Sequence, residues 1–457
     1  MGLVTLALLG LATGCEPDPV RSTLDRAADP VVATGAQVSA LVGAQPNRIV
    51  AFKASSAGWT QIPVQVDERL ATTVQAAYNL PAGQFGASTD IPVNVYADPT
   101  TFVGADPNAA LDADDEIAFM ARDAGGDAGS LAAPAGTTGG GVELKLDDPQ
   151  DAAATGYVYL FRSNGSLDPG AGKHYVGYTF NLLSGDYRTT YKRAAGPNAE
   201  NSAITGSTYK AHFSDRWLLD SLSLTLGSKS GVDLIDRMKY KFPGTCGRTE
   251  DTFDAGEGAF VVNKVGPVRA LRSYFGANSG PNTQATHAFY DMAVDTTIDL
   301  RVHAIPGVGS HLDLSRDTIG MTYRNPQVPN GLLVDGVPDA LPAGAPSWST
   351  ITGPQGGLGI SATVDTNLGI APQTVFDDDE TPAGQQCTGD AQAIGESGAV
   401  FNQAIACTDP GAGATCTGRL RSTTRIVATP AALAPAGVQK IAQQGLAPLR
   451  VTVAAFP

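Results

Sequence analysis

The densest set of oxygen donors in the chain is the run Asp106-Pro-Asn108-Ala-Ala-Leu-Asp112-Ala-Asp114-Asp115-Glu116. Short-spaced carboxylate and amide oxygens in a loop suit a hard cation, and Ca²⁺ takes roughly six to eight such ligands. Asp106, Asn108, Asp112, Asp114 and Glu116 are therefore the candidate metal ligands, with Ca²⁺ in a structural role as the only cofactor the sequence suggests. Leu111 stands where a calcium loop would carry its turn glycine, and the competing reading is a solvated turn that opens a strand at Glu116. A second acidic run, Asp377 to Glu380, reads as a solvated loop.

Nitrogen donors are scarcer. The chain has five histidines, and three of them stand near other donors or rings. His212 shares the stretch Lys210-Ala-His-Phe-Ser-Asp-Arg-Trp217 with Arg216 and Trp217, while His287, Arg301 and His303 fall on a strand pair further along. Aromatic faces with Arg and His donors suit a sugar, whose ring faces are apolar and whose edges carry hydroxyls. His212, Arg216, Trp217, His287, Arg301 and His303 are accordingly the candidate ligand-binding residues; the alternative is ordinary cross-strand pairing on a sheet surface. A His and Arg pair would also suit a lyase that removes a proton α to a carboxylate, but no stretch singles out such a pair. Gly395-Glu-Ser397-Gly-Ala399 lacks the last glycine and the strand–turn–helix context of a nucleophile elbow. No phosphate-cradling loop, zinc-binding helix motif or dinucleotide fingerprint is present, which argues against a nucleotide partner.

These side chains need a scaffold, and the pattern of the chain is that of β structure. The 457 residues are 42% hydrophobic and include 53 Gly and 30 Pro, a turn-rich composition. Apolar and polar residues alternate in Arg48–Lys53, Trp59–Val66, Ile91–Tyr96, Glu116–Ala121, Val142–Leu146 and Gly156–Arg162. A second series runs through Tyr175–Phe180, Tyr187–Lys192, Ser221–Leu226, Asp236–Phe242, Ala259–Val262, Val268–Phe275, His287–Val294 and Thr297–His303. Asp295-Thr296 between the last two has the length of a hairpin turn. One helix is expected, over Pro435–Gln444 with Gly445 at its end, before a last strand Leu449–Ala455. Many consecutive hairpins imply an all-β, mainly antiparallel fold: a large sandwich over 171–457 and a smaller N-terminal β module over 46–170. The net charge of −15 argues against nucleic acid, whose phosphates it would repel.

The N-terminus carries an address. Met1–Ala12 is apolar or small apart from Thr5, too short to span a bilayer as a helix, and ends in Thr13-Gly14-Cys15. Ala12-Thr13-Gly14-Cys15 resembles the lipobox of bacterial lipoproteins, although Leu11 sits one place early and no Lys or Arg precedes the apolar run. The resemblance implies removal of residues 1–14, lipidation of Cys15, a flexible tether over 15–45 and an exported body anchored to the cell envelope by acyl chains. Four cysteines remain, Cys246, Cys387, Cys407 and Cys416. In an exported chain they read as two disulfides, with Cys407–Cys416 and Cys246–Cys387 the favoured connectivity of three.

Gly266-Pro-Val-Arg-Ala270, the strand after it and Phe289-Tyr-Asp-Met292 resemble part of the supersandwich domains of carbohydrate-active proteins, which include galactose-mutarotase-like domains and some rhamnogalacturonan lyases. The resemblance covers about Gly244 to Pro306 and implies a large antiparallel sandwich with a polysaccharide or other glycan as ligand; it assigns no catalytic residue. Two function classes follow: an envelope lipoprotein that binds carbohydrate without catalysis, and a polysaccharide-processing enzyme, lyase or epimerase-like.

Overall fold

The computed structural model describes residues 21–81, 91–189, 192, 196, 198–225, 231–242, 248–381, 387, 389, 394–405, 418–431 and 433–456. The leader with Cys15, and Cys246, Cys407 and Cys416, lie outside these residues. Cys387 is disulfide-bonded. Among the described residues the fold is mainly antiparallel β, in six sheets with few helices. No described helix is long and apolar enough to cross a membrane.

The largest sheet has nine strands, in the spatial order Ala259–Val265, Ala270–Ala277, Gly280–Phe289, Ala293–Asp299, Leu420–Thr429, Gly356–Thr366, Trp348–Gly353, Thr322–Arg324 and Leu332–Leu333. Leu420–Thr429 returns from far along the chain to sit between Ala293–Asp299 and Gly356–Thr366. Facing this sheet are two four-stranded ones. The first orders Gly177–Thr179, Ser202–Thr205, Tyr209–Phe213 and Leu219–Leu224; the second orders Ile235–Lys241, Val308–Leu314, Glu396–Phe401 and Gln373–Asp377. Alternation sorts the side chains, since successive residues of a strand point to opposite faces. Phe213, Leu222, Met238, Tyr274, Phe289, Ile298, Leu312, Leu358 and Ile426 thus meet in one core between the layers. The other face of the nine-stranded sheet is charged. Asp295 accepts two hydrogen bonds from Arg425 and Asp299 two from Arg421. The helix Pro435–Gly445 packs on that face, and its Gly445 comes so close that an added Cβ would lie 2.3 Å from Ser361 Oγ.

The N-terminal region forms a smaller sandwich. Pro30–Thr34, Glu116–Met120 and Gln65–Asp67 make a three-stranded sheet over a five-stranded one ordered Arg450–Phe456, Thr137–Asp148, Asp151–Ser163, Ile49–Ser55 and Gly58–Ile62. Val31, Ile117, Phe119, Leu144, Leu146, Val158 and Leu160 fill the space between them.

Three expectations differ from the structure. The expected tether is ordered from residue 21 onward. Arg26 is buried, donating to Asp29 and Asp148 and to the main-chain oxygens of Gln444 and Ala447, and Pro30–Thr34 is a paired strand. The boundary at 170 is crossed by the last strand, Arg450–Phe456, which belongs to the N-terminal module by pairing with Thr137–Asp148. Finally, Asp295 and Thr296 lie inside the strand Ala293–Asp299, and the chain turns at Tyr290–Met292 instead. There the Asp291 carboxylate is buried and paired with Arg122 and Lys173. The charge of a turn residue is thus met by two cations instead of by water, a partnership invisible to local pattern.

Candidate functional site

Between the nine-stranded sheet and the sheet containing Val308–Leu314 lies a partly open cavity, about 860 Å³ when the solvent space at its mouth is included. Its walls follow from register. From the large sheet come His287, Thr296, Ile298, Ser349, Ile360, Ser422, Thr424 and Ile426; from the facing sheet come Met238, Ser310, His311, Leu312, Thr374, Ser397 and Ala399. The pattern is a hydroxyl residue two places from an apolar one, as in Ser422, Thr424 and Ile426 or Ser310 and Leu312, which places both on the cavity face. Phe213 and Leu219 close one end. Trp348 borders the cavity, but it pairs with Ser361 and so shares the face that carries the helix. A second space of about 450 Å³ adjoins the first through Ile298, Ser310, Ala399 and Ser422, and it is lined by Tyr240, Leu300, Val308, Phe401 and Leu420.

Some of the hydroxyls are committed. The Tyr323 phenol is buried, stacked on Phe376 at 4.1 Å, accepts from Asn325 Nδ2 at 3.1 Å, and has the Thr374, Ser397 and Ser349 hydroxyls around it. Burial raises its pKa more than these partners lower it. The hydroxyls of Ser310, Ser422 and Thr424 make no hydrogen bond with another described residue and stay available to a ligand. His287 is held between the Tyr274 hydroxyl at 3.2 Å and Thr296 Oγ1 at 2.9 Å, its ring stacked on Phe289. Burial, and then the nearby Arg272, push its pKa down to about 3, so the ring is neutral at ordinary pH. Arg272 is itself fully buried, clamped by both oxygens of Glu200 at 2.8 and 2.9 Å, with Phe213 under its guanidinium at 4.5 Å. Phe213 is thereby fixed where it forms the end of the cavity.

Among the described residues the cavity wall carries no carboxylate, lysine or arginine. Glu396 adjoins Ser397, but alternation turns it to the opposite face, beside His311 and Lys241. Burial raises its pKa, yet His311 and then Lys241 outweigh that and hold it down at about 2. Such a wall can hydrogen-bond and exclude water around a neutral ligand, with His287 itself held neutral.

Of the six residues expected to bind ligand, only His287 lines this cavity. His212 lies on another sheet, bonded to Asp220 at 2.6 Å and Asn201 at 2.9 Å. Trp217 is wholly buried, edge-on to Tyr274 and donating to Gly276 O, and Arg216 is buried beside it with its Nη2 on Asp186 O. Arg301 turns back to Ser279 O, and His303 Nδ1 lies 3.2 Å from Arg301 O beyond the strand end. Most of the polar part of the wall is Ser and Thr, whose only signal in the sequence is their spacing from apolar neighbours.

The acidic loop also divides. Glu116 is spent on Arg69 at 2.9 Å, Arg269 at 2.7 Å and the Tyr96 hydroxyl at 2.8 Å. Asp112 is bonded by Asn108 and lies against Asp114, which also accepts from Asn94. Hydrogen bonding from Asp114 lowers the Asp112 pKa, while burial and Asp112 raise that of Asp114. The carboxylates that converge are Glu68, Asp106 and Asp115, with one oxygen of each within 4.8 Å of the others. Only Asp106 belongs to the expected set. Glu68 lies 38 positions upstream of Asp106, and Asp115 is an alternate position of the same loop.

No protein-family model and no curated protein matches the chain. Among solved structures it is similar to one described as "a Putative aldose 1-epimerase" from Escherichia coli K12, with 13% identity and a TM-score of 0.30, over 56% of this chain and 100% of that one.

Proposed function

We propose that the protein is an exported, lipid-anchored envelope protein that binds a neutral glycan between its sheets without transforming it. The observation that supports this most is the composition of the cavity: unpaired hydroxyls, apolar side chains and two histidines, with no carboxylate, lysine or arginine among the described residues of the wall. Hydroxyl donors and acceptors match those of a sugar, and the apolar patches match its ring faces. The adjoining space, apolar apart from Ser310 and Ser422, favours a glycan longer than one ring or one bearing an apolar substituent. An epimerase or lyase needs an acid/base pair near the reacting carbon, and the neutral, doubly bonded His287 is poor material for either role.

The test is a glycan array probed with the full chain, followed by calorimetry on any glycan retained. Thr424→Leu and Ser310→Leu fill the cavity with apolar bulk and should each weaken binding at least about tenfold, the effect of losing roughly one good hydrogen bond. An array with no neutral glycan bound, or affinities unmoved by both substitutions, would reject the reading. Turnover of a bound glycan would reject its non-catalytic half.

A further inference from the structure

Glu68, Asp106 and Asp115 come from two places. Glu68 links the strands Gln65–Asp67 and Arg69–Thr73, while Asp106 lies in the loop between the strands Pro92–Tyr96 and Glu116–Met120 and Asp115 ends that loop. Asp115 is fixed by main-chain donors, Arg69 N at 2.7 Å and Asp112 N at 2.8 Å. The loop that carries it is pinned to the turn after the first strand: Gly35 N donates to Asp115 O and Ala36 N to Ala113 O, both at 2.9 Å. Any Cβ at Gly35 would lie 1.7 Å from Asp112 O, so this approach requires glycine.

Glu68 is the anomaly. Both of its carboxylate oxygens are shut off from solvent and neither has a hydrogen-bond partner. A buried carboxylate left in that state is costly, because the water it lost has not been replaced. Its surroundings add to the cost: after burial itself, Asp115 and Asp106 are the main influences that raise its pKa to about 7. Lys264 acts in the other direction but is bonded to Asp67 at 2.8 Å.

We infer that Glu68, Asp106 and Asp115 form a site for one divalent calcium ion. Calcium–oxygen distances are about 2.3–2.6 Å, so two ligands of a shared ion stand at most about 5 Å apart, and the three oxygens meet that limit. All three donors are hard carboxylates, which suits calcium and disfavours zinc or copper. The ion supplies the missing partner of both Glu68 oxygens and fastens the acidic loop to the linker between two strands. Asp112 and Asp114 stabilise the loop through their hydrogen bonds without being essential ligands.

The test uses the full chain, stripped with chelator and then dialysed against calcium chloride, with bound metal counted by mass spectrometry and melting followed with and without about 5 mM calcium. One calcium per chain and a rise of about 2–5 °C in melting temperature are expected from ligation of the native state. Glu68→Gln should fold, lose the metal and melt alike in calcium and chelator. Asp106→Asn, on a half-buried residue, should weaken calcium binding at least about tenfold and decides the matter if Glu68→Gln does not fold. Asp114→Asn should retain the ion. A wild type that retains no calcium and melts identically in both conditions overturns the inference. So does loss of binding in Asp114→Asn with retention in Glu68→Gln and Asp106→Asn.

Discussion

Arg269 and Glu116 join the two sandwiches: Arg269 Nη2 donates to Glu116 Oε2 at 2.7 Å, from the edge of the large sheet to a strand of the N-terminal module. Arg269 also gives its Nε to Asp67 at 2.8 Å, while Gln65 accepts the Val268 and Arg269 amides. Removing one member of a buried ionic network costs about 3–5 kcal/mol, because the remaining charge is stranded. Arg269→Met should lower unfolding free energy by about that amount, and Arg269→Met/Glu116→Gln should recover part of the loss. Urea unfolding measures both; a single-variant loss under about 1 kcal/mol would show that the seam is held by other contacts.

The acidic site has a signature in pH. Glu68 has a folded-state pKa raised above its ordinary value, to about 7. A raised carboxyl binds its proton better when folded, so in chelator the native state should gain stability as pH falls from about 8 toward 5. Asp67 and Glu396 have lowered pKa values and lose their contributions only in more acidic solution. The gain should be smaller in Glu68→Gln and in wild type with calcium. Melting curves at several pH values, in chelator and in calcium, decide it; equal slopes for wild type and Glu68→Gln in chelator would remove Glu68 as the cause.

Titration of His287 should not alter ligand affinity between pH 5 and 8, because that ring remains neutral down to about pH 3. Calorimetry with the glycan retained by the array measures this. A tenfold change in affinity across that range would place an ionising group at the ligand.

The four body cysteines should contain no free thiol. Cys387 is disulfide-bonded, and a bridge between Cys407 and Cys416 would close a short loop, stabilising by about 2–3 kcal/mol in a chain-entropy account. Alkylation without reductant, followed by intact mass, should show no adduct; two adducts would show that the two cysteines outside the Cys387 bridge are unpaired.

Strand type was legible because alternation is local. Leu144, Leu146, Val158 and Leu160 reveal their buried face within a few residues of themselves. Partnership was not legible, because it is non-local. Arg26 looked like tether because its partners Asp148 and Gln444 stand 122 and 418 positions away. Asp295 looked like a turn residue because Arg425, which neutralises it inside a sheet, is 130 positions away. The same limit shaped both candidate sites. His212 and Trp217 drew attention by chemical type, yet Trp217 serves the core. Ser422 and Thr424 are plain residues whose importance comes from the sheet opposite. Glu68 stood outside the acidic run and gained its neighbours only when the strand after it folded back.

The pairing of Arg450–Phe456 with Thr137–Asp148 has a consequence for the order of assembly. A chain that emerges N-terminus first displays a twelve-residue strand with one flank open until its final seven-residue strand arrives. Open strand flanks recruit other chains, so the interval between the two is the period of greatest risk of clumping. Arg450–Phe456 therefore narrows the open border from twelve residues to seven, and a chain cut short before Leu449 keeps the longer one on an otherwise finished module.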